Sequence, residues 1–411
     1  MRIVVVGQGG REHALAWRLA REGHTVVGVP GNPGLAELGP CVPVDASNVA
    51  ALAQACADAS PDLVVVGPEA PLAAGLVDRL RAADVPVFGP TQAASRIESS
   101  KAFAKDVMQR AGVPTARFFT VTTPAELDAS LQTLGGEVAV KADGLAAGKG
   151  VVVCSTVAEA TEAGLRLLER GPVVIEERLT GPELSVIVLT DGRGVAMLPP
   201  SRDHKRLLDG DEGPNTGGMG AVAPVSVPPG FLEGLRETVF RPTLDAMAAA
   251  GTPFAGALFA GFMLTPAGPK VLEFNARFGD PETQAIMLAL SGDVRLGELL
   301  MDAARGQLAD AILPADGATC GVVVAAPRYP ETPETGAPVE GIPEARATGA
   351  EVFHAGTRLV DGRVVTAGGR VLTVVARAPT LAEARVMSLA AARLIRFPGA
   401  QLRTDIGATS A

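Results

Sequence analysis

The sequence predicts an α/β protein of several domains that begins with a doubly wound parallel sheet. Its 411 residues exceed what one hydrophobic core usually accommodates, so two to four domains are expected. Hydrophobic residues make up 47% of the chain and aromatic residues only 4%, which suits parallel strands covered by helices on both faces. Over residues 1–100, short apolar runs alternate with helical stretches, as in repeated βα units.

The strands of the first domain are predicted from apolar runs that end near Gly or Pro. They are expected at residues 3–6, 25–29, 63–66 and 85–88, with Ala-rich helices between them. Ligands of such a sheet bind at the carboxyl ends of its strands. The polar side chains predicted at those ends are Arg11, Glu12, Asn32 and Glu69.

The pattern changes after residue 99, and the elements of a second region follow. Helices are expected at 101–110, 157–169, 230–250 and after Pro281, and strands at 138–142, 151–154, 173–177, 184–189, 257–264 and 270–275. Residues 200–224 are polar and glycine-rich, and we expect a long functional loop there.

A third group of elements begins near residue 318. Strands are expected at 320–325, 351–354 and 370–376, and a helix at 381–394. The segment 329–343 is rich in Pro, Glu, Thr and Gly and predicts a surface loop.

Charge and cysteine content exclude several classes of protein. The net charge of −9 disfavours a nucleic-acid partner, which would require a basic face. No apolar stretch approaches the roughly 20 residues that a membrane span needs. The cysteines at 41, 56, 154 and 320 are scattered, so neither disulfides nor a zinc site is expected. We therefore expect a cytoplasmic protein.

The opening MRIVVVGQGGREHALAWRL raises the question of a dinucleotide. That fingerprint needs a third glycine, where this chain has Arg11 and Glu12, and an acidic residue at the end of the second strand, where this chain has none. NAD is therefore disfavoured. The turn still offers backbone N–H groups at a helix N-terminus, and a phosphorylated small substrate fits it better. The alternative is a turn that merely connects strand to helix.

The stretch KADGLAAGKGV, residues 141–151, predicts a phosphate-binding turn between two strands. Its glycines and alanines let the backbone close over a ligand, and Lys141 and Lys149 are able to neutralise phosphate charge. It is not a P-loop, because no Ser or Thr follows the lysine and a strand comes next. A flexible exposed hairpin is the alternative.

The stretch VLEFNARFGDPE, residues 271–282, predicts a metal-binding strand. Glu273 and Asn275 alternate onto one face, and Leu272 and Phe274 are expected to face the core. Two hard oxygen ligands suit Mg²⁺ together with water and nucleotide phosphates. Arg277 would contact an anion at the strand end; a solvated edge strand is the alternative.

Two further segments are weaker signals. In 201–206, Asp203 is suited to an amine and the basic residues to a phosphate, although a charge run is often only solvated surface. The run 174–183 predicts a strand that enters a linker, with backbone groups for an adenine edge and a downstream carboxylate for ribose hydroxyls. An exposed edge strand explains it equally well.

Taken together, these stretches resemble the ATP-grasp superfamily and, within it, the phosphoribosylamine–glycine ligase family. The blocks that carry the resemblance are GQGGREHALAW, PGNPG, VGPEAPL, FGPT, SSKAFAKD, KADGLAAGKGV, IEERLTGPE, DHKR, GPNTGGMGA, LEFNARFGDPET, FHAGT, GGRVL and DIG. The resemblance implies an N-terminal α/β domain at 1–100, an ATP-grasp domain at 101–317 with a mobile lid at about 115–187, and a small C-terminal α+β domain at 318–411.

The resemblance also implies an activity, ATP-dependent carbon–nitrogen ligation. ATP would activate glycine as glycyl phosphate, and 5-phosphoribosylamine would attack it to give glycinamide ribonucleotide, ADP and phosphate in purine biosynthesis, with Mg²⁺ or Mn²⁺ present. The alternative is another ATP-grasp carboxylate–amine ligase, which would keep 141–151 and 273–275 but lose the 201–220 block. Small-molecule substrates and a monomer or weak homodimer are expected.

Site residues follow by matching positions to the family motifs. ATP phosphates are assigned to Lys101, Lys141 and the loop 144–150, including Gly144, Gly148, Lys149 and Gly150. Adenine is assigned to Glu176, Glu177 and Leu179, ribose to Glu183, and the metal to Glu273 and Asn275. Phosphoribosylamine is assigned to Gly9, Gly10, Arg11 and Glu69, and the catalytic contacts to Asp203, Lys205 and Arg277. The chain departs from many relatives in lacking an acidic metal ligand at 258–263.

Overall fold

A computed structural model describes residues 1–145 and 150–408 of the chain. The elements of its N-terminal region are, in chain order, β1 (Arg2–Gly7), α1 (Gly10–Arg21), β2 (Thr25–Pro30), α2 (Pro33–Ala36), α3 (Val49–Asp58), β3 (Leu63–Val66), α4 (Glu69–Ala73), α5 (Leu76–Ala82), β4 (Val87–Phe88) and α6 (Gln92–Ser99). The strands form a parallel sheet in the order β2-β1-β3-β4.

Both faces of this sheet are covered, as predicted. Ile3 and Val5 pack with α1 in one buried cluster, and Val4 and Val6 pack with α3 and α5 in another. Alternate side chains of a strand point to opposite faces, so one apolar run serves two cores. The last strand is shorter than the predicted 85–88, because Pro86 has no N–H to donate to the sheet.

Among the described residues, the central region contains two large sheets and one two-stranded sheet. Its elements are α7 (Lys101–Ala111), β5 (Phe118–Val121), α8 (Pro124–Leu134), β6 (Val138–Ala142), β7 (Val151–Cys154), α9 (Val157–Leu168), β8 (Val173–Glu177), β9 (Glu183–Thr190), β10 (Val195–Met197), β11 (Arg202–Asp203), β12 (Arg206–Leu208), β13 (Glu212–Asn215), β14 (Gly220–Ala223), α10 (Phe231–Leu235), α11 (Arg241–Ala249), β15 (Gly256–Thr265), β16 (Gly268–Asn275), α12 (Glu282–Ala289), α13 (Leu296–Arg305) and β17 (Ala311–Ile312). One large sheet has the order β5-β8-β6-β7 and the other β16-β15-β9-β10-β17.

The helix predicted at 230–250 is continuous but irregular. A π-helical turn, Arg236–Phe240, joins α10 to α11. Pro242 follows that turn and lacks the N–H that a regular helix would need, so the irregularity lies beside the residue that disfavours α geometry.

The prediction of a long loop at 200–224 was wrong. The strands β11 and β14 pair antiparallel, β12 and β13 form a hairpin, and Met219 and Ala221 are fully buried. The partner of β14 on its other side is a strand that starts at Ala318, about a hundred residues later. Because that partner is so distant in sequence, periodicity within the segment did not indicate a strand.

The C-terminal region contains β18 (Ala318–Ala325), α14 (Ile342–Ala347), β19 (Glu351–His354), β20 (Thr357–Val360), β21 (Arg363–Thr366), β22 (Arg370–Ala378) and α15 (Leu381–Ala392). Its sheet has the order β11-β14-β18-β22-β19 and so includes two strands of the central region. This arrangement ties the segment that carries Asp203 to the C-terminal core. Over the described parts of the chain, no helix has the length and apolarity required to span a membrane.

Candidate active site

A cavity of about 1610 Å³ receives side chains from all three regions. The predicted site residues that line it are Gly9, Arg11, Glu69, Lys101, Lys141, Gly144, Gly150, Glu176, Glu177, Leu179, Glu183, Asp203, Lys205, Glu273, Asn275 and Arg277. Gly10 does not line it; it is the first residue of α1 and packs towards Gln284 and Ala355. Gly148 and Lys149 lie outside the described residues.

The strand β16 brings Glu273 and Asn275 to this cavity through a β-bulge. Gly261 pairs with Glu273 while the next residue, Phe262, pairs with Val271, so Leu272 is the extra residue. A bulge interrupts the alternation of side chains. Phe274 is buried in the core as predicted, but Leu272 lines the cavity, and the prediction of its core position was therefore wrong.

Three lysines influence the charge of the Glu273 carboxylate. Burial would raise its pKa, but Lys205, Lys141 and Lys101 outweigh burial and hold the pKa below the usual value. The Nζ of Lys141 is 3.3 Å from the carbonyl oxygen of Leu272, the residue before Glu273. An ionised carboxylate and an amide oxygen on the same strand edge are a donor set that fits a hard divalent cation.

The carboxylate of Glu176 joins two lysines in the interior. It lies 2.8 Å from the Nζ of Lys141 and 3.0 Å from the Nζ of Lys105. Lys105 also donates to the hydroxyl of Thr115 at 2.7 Å. Burial, aided by Lys141, lowers the pKa of Lys105 to about 8, although Glu176 opposes that shift. Sequence reasoning missed Lys105, which lies one helical turn after Lys101 on α7.

The neighbouring carboxylate, Glu177, is paired at the rim of the cavity. Arg117 lies 2.7 Å from one of its oxygens and Lys270 lies 3.0 Å from the other. These contacts outweigh the effect of desolvation and lower the pKa of Glu177 to about 2. Because Glu177 lies on β8 and Lys270 on β16, their ion pair connects these two strands. Further along the chain, Glu183 pairs with Lys205 at 2.6 Å.

The glycine turn after β1 holds a carboxylate of the protein itself. The N–H of Gly9 donates to Glu12 at 2.6 Å, and the Nε of Arg11 lies 2.5 Å from the other oxygen of Glu12. A Cβ at Gly7 or Gly67 would collide with the Glu12 side chain. In the turn after β1, where a phosphorylated substrate was expected, the Gly9 N–H is therefore already bonded to Glu12. The glycines at positions 7 and 67 make room for the Glu12 side chain.

Asn32 was predicted to lie at the same edge of the sheet. Its amide nitrogen donates to the carbonyl oxygens of Gln8 and of His354, at 2.9 and 2.8 Å. It therefore connects the turn after β1 to the C-terminal region.

Alternating charges extend from this turn to the end of β16. The guanidinium of Arg277 lies 3.1 Å from Glu98 and 3.3 Å from Glu69, and Glu69 lies 4.0 Å from Arg11. Burial would raise the pKa of Glu69, but Arg277 and Arg11 hold it below its usual value. Sequence reasoning did not identify Glu98, because an isolated acidic residue on a helix is ordinarily solvated.

Asp203, which is half-buried, and Glu282, which is buried, are interacting carboxylates at the cavity wall. Burial and the proximity of Glu282 raise the pKa of Asp203 well above its usual value, and Lys205 and Arg370 offset this only in part. Burial also raises the pKa of Glu282, which is 4% exposed. The Oδ1 of Asp203 is buried without a hydrogen-bond partner among the described residues. The positive charges of Lys205 and Arg370 therefore compensate the two carboxylates only in part.

The chain matches three family models over most of its length. Residues 1–98 match the N domain of phosphoribosylglycinamide synthetase, residues 99–283 its ATP-grasp (A) domain, and residues 319–409 its C domain.

Named relatives match the chain from end to end. It is 49% identical to a phosphoribosylamine–glycine ligase of Streptomyces coelicolor, with 100% of both chains covered. It is 48% identical to the trifunctional purine biosynthetic protein adenosine-3 of Gallus gallus, where the match covers 99% of this chain and 42% of that protein.

Solved structures share the fold. The phosphoribosylamine–glycine ligase of Thermotoga maritima superposes with a TM-score of 0.88 at 36% identity, covering 99% of this chain and 100% of that one. The biotin carboxylase domain of Hydrogenobacter thermophilus 2-oxoglutarate carboxylase superposes with a TM-score of 0.70 at 18% identity, covering 98% and 91%, which is a likeness of fold alone. The chain therefore belongs to the phosphoribosylglycinamide synthetase family, whose central domain is an ATP-grasp domain.

Proposed function

We propose that this protein uses ATP to join glycine to 5-phosphoribosylamine, giving glycinamide ribonucleotide, ADP and phosphate in purine biosynthesis. The single observation that carries the proposal is the convergence of Lys141 and Glu273 on one cavity, with the Lys141 ammonium 3.3 Å from the backbone just before Glu273. Membership of the family supports the same chemistry.

The reaction consists of two nucleophilic substitution steps, first at phosphorus and then at a carbonyl carbon. It needs no covalent enzyme intermediate. A carboxylate oxygen of glycine attacks the γ-phosphorus of ATP, and ADP leaves. The amine of 5-phosphoribosylamine then attacks the carbonyl carbon of glycyl phosphate, phosphate leaves, and the amine loses a proton. Catalysis rests on positioning and on neutralisation of charge, which a cavity rich in fixed charges supplies.

Lysines and the two central sheets would hold ATP. We assign the phosphates to Lys101 and Lys141, the adenine to the segment around Glu176, Glu177 and Leu179, and the ribose to Glu183. The burial of the Glu176 carboxylate between lysines supports an adenine contact through the backbone of this segment. The loop 144–150 would close over the phosphates, and its residues Gly144 and Gly150 border the cavity.

Glu273 and Asn275 would hold Mg²⁺ or Mn²⁺. When bound, the cation would neutralise negative charge on the ATP phosphates. The three lysines that lower its pKa keep the Glu273 carboxylate ionised, which is the state that binds a cation.

The phosphoribosylamine would lie near the glycine turn after β1. Gly9, Arg11 and Glu69 border the cavity there, and Arg277 connects them to the end of β16. Since Glu12 occupies the N–H of Gly9, we assign recognition of this substrate to side chains and not to the helix N-terminus.

The glycine ammonium would lie between Asp203 and Glu282, where a cation relieves the repulsion of the carboxylates. We expect Asp203→Asn to raise the KM for glycine by about 10- to 100-fold, since a charge-assisted hydrogen bond contributes about 1.5–3 kcal/mol. Initial rates at varied glycine concentration measure this. The exposed Asp245→Asn is the matched control. An unchanged KM for glycine in Asp203→Asn would remove the assignment.

The proposed function itself is tested by phosphate release with ATP, Mg²⁺, glycine and freshly prepared 5-phosphoribosylamine. We expect release only in the complete mixture, with a large loss when any one component is omitted. Glycinamide ribonucleotide is identified by mass spectrometry. Equal release with another amine or carboxylate would favour a different ATP-grasp ligase.

The location, assembly and domain limits are proposals as well. We propose a cytoplasmic monomer or weak homodimer with domains at 1–100, 101–317 and 318–411 and a lid at about 115–187. Free thiols at Cys41, Cys56, Cys154 and Cys320 support a reducing compartment.

A further inference from the structure

Glu98 is a buried carboxylate on α6 that contacts two consecutive residues at the end of β16. Its side chain is 7% exposed and borders the cavity. One oxygen, Oε2, accepts a hydrogen bond from the N–H of Ala276 at 2.9 Å. The other, Oε1, lies 3.1 Å from Nη2 of Arg277. One carboxylate therefore holds both the backbone at Ala276, directly after Asn275, and the guanidinium of Arg277.

The position of Arg277 depends on carboxylates from two different elements. Glu98 on α6 contacts one terminal nitrogen, and Glu69 at the start of α4 lies 3.3 Å from Nε. The remaining terminal nitrogen, Nη1, donates to the carbonyl oxygen of Phe278 at 3.1 Å. The guanidinium thus makes one hydrogen bond and two ion-pair contacts, and these contacts restrict its orientation more than solvent would.

Burial of Glu98 is costly without these two partners. An ionised carboxylate removed from water needs compensation by hydrogen bonds or opposite charge. Here, a guanidinium and a backbone N–H offset part of that cost, although burial still raises the pKa of Glu98, and both partners belong to the segment that follows the proposed metal ligands. The contacts between α6 and β16 therefore join the cavity floor to the N-terminal region.

We propose that Glu98 is a positioning residue with two separable effects on ligation. Through the N–H of Ala276 it fixes Asn275 at the divalent-ion end of the site, and through Arg277 it orients a cation at the phosphoribosylamine end. This inference rests on the proposed function. Residues that orient metal ligands typically change metal affinity or activity by about 10- to 100-fold when replaced.

Two substitutions separate the two contacts. Glu98→Gln keeps a carbonyl oxygen for the N–H of Ala276 but removes the charge that faces Arg277. Glu98→Ala removes both. In Glu98→Gln, we expect the Mg²⁺ concentration that gives half-maximal rate to stay within about twofold of its value in the unaltered protein. We expect the KM for 5-phosphoribosylamine to rise about 10-fold. We expect Glu98→Ala to raise both quantities about 10-fold or more.

The experiment measures steady-state phosphate release by the full chain while Mg²⁺ and 5-phosphoribosylamine are varied in turn. The thermal unfolding midpoint of each variant reports its folding, and the exposed Glu233→Gln and Glu233→Ala are the matched controls. If Glu98→Ala does not fold, Glu98→Gln alone decides the proposal by its KM for 5-phosphoribosylamine.

The inference is overturned if Glu98→Gln has an unchanged KM for 5-phosphoribosylamine, or if Glu98→Gln shifts the Mg²⁺ dependence as much as Glu98→Ala does. These outcomes differ from a failure of the proposed function. In that case the unaltered protein itself would release no phosphate in response to glycine and 5-phosphoribosylamine.

Discussion

Glu273→Ala is expected to lower the rate of ligation by about 10³-fold or more. The substitution removes the one carboxylate of the proposed metal pair and leaves only the amide of Asn275. It also removes a negative charge that interacts favourably with Lys205, Lys141 and Lys101. Loss of charge stabilisation of about 4 kcal/mol in the transition state corresponds to this factor. Phosphate release at ordinary Mg²⁺ concentration measures the effect.

A smaller loss of ATP affinity should accompany the loss of rate, because the lysines still contact the phosphates. Glu273→Gln removes the negative charge but keeps nearly the same side-chain volume. If charge is what matters, its rate of ligation should be nearly as low as that of Glu273→Ala. The exposed Glu233→Ala on α10 should retain full activity. Full turnover by Glu273→Ala would mean that the divalent ion is held elsewhere.

Much of the fold was predictable because its signals are local. The strand β1 is an uninterrupted apolar run, and such a run predicts a strand buried on both faces. The segment 200–224 was missed for the opposite reason. Its strand β14 is short and glycine-containing, and it is stabilised by pairing with β18 far along the chain.

The side chains that point into the cavity were predictable where residue type and position agreed. Glu273 and Asn275 followed from strand alternation, but Leu272 did not, since a bulge inserts one residue into the pairing. Bulges depend on the partner strand, and the sequence of β16 alone does not indicate one.

Interior ion pairs were the least predictable part of the site. Lys105 lies four residues after Lys101 on α7, so the two share a helix face, and that spacing was the available signal. Glu12 was predicted at the end of the first strand, and its spacing of three residues from Gly9 is a local signal, whereas Glu98 gave no such signal. Their partners are the Gly9 N–H on the turn before α1 and the Ala276 N–H after β16, and only the folded chain brings the latter pair together.

The cluster of Lys105, Glu176 and Lys141 links catalysis to stability. Its side chains are 2%, 2% and 9% exposed, so one buried carboxylate faces two buried ammonium groups. Coulomb attraction compensates the cost of removing these charges from water only while the carboxylate is present. Removal of Glu176, which contacts both lysines, is therefore expected to lower the free energy of unfolding more than removal of either lysine.

Glu176→Ala should accordingly lower the free energy of unfolding by about 3–5 kcal/mol, because it leaves uncompensated positive charge in the interior. Urea titration of the earliest unfolding transition measures this. Glu177→Ala, one position along the same strand, is the matched control. Its partners Arg117 and Lys270 are 67% and 28% exposed, so water screens these pairs and a smaller loss than for Glu176→Ala is expected. Equal destabilisation by the two substitutions would show that the buried cluster contributes no more than the partly exposed one.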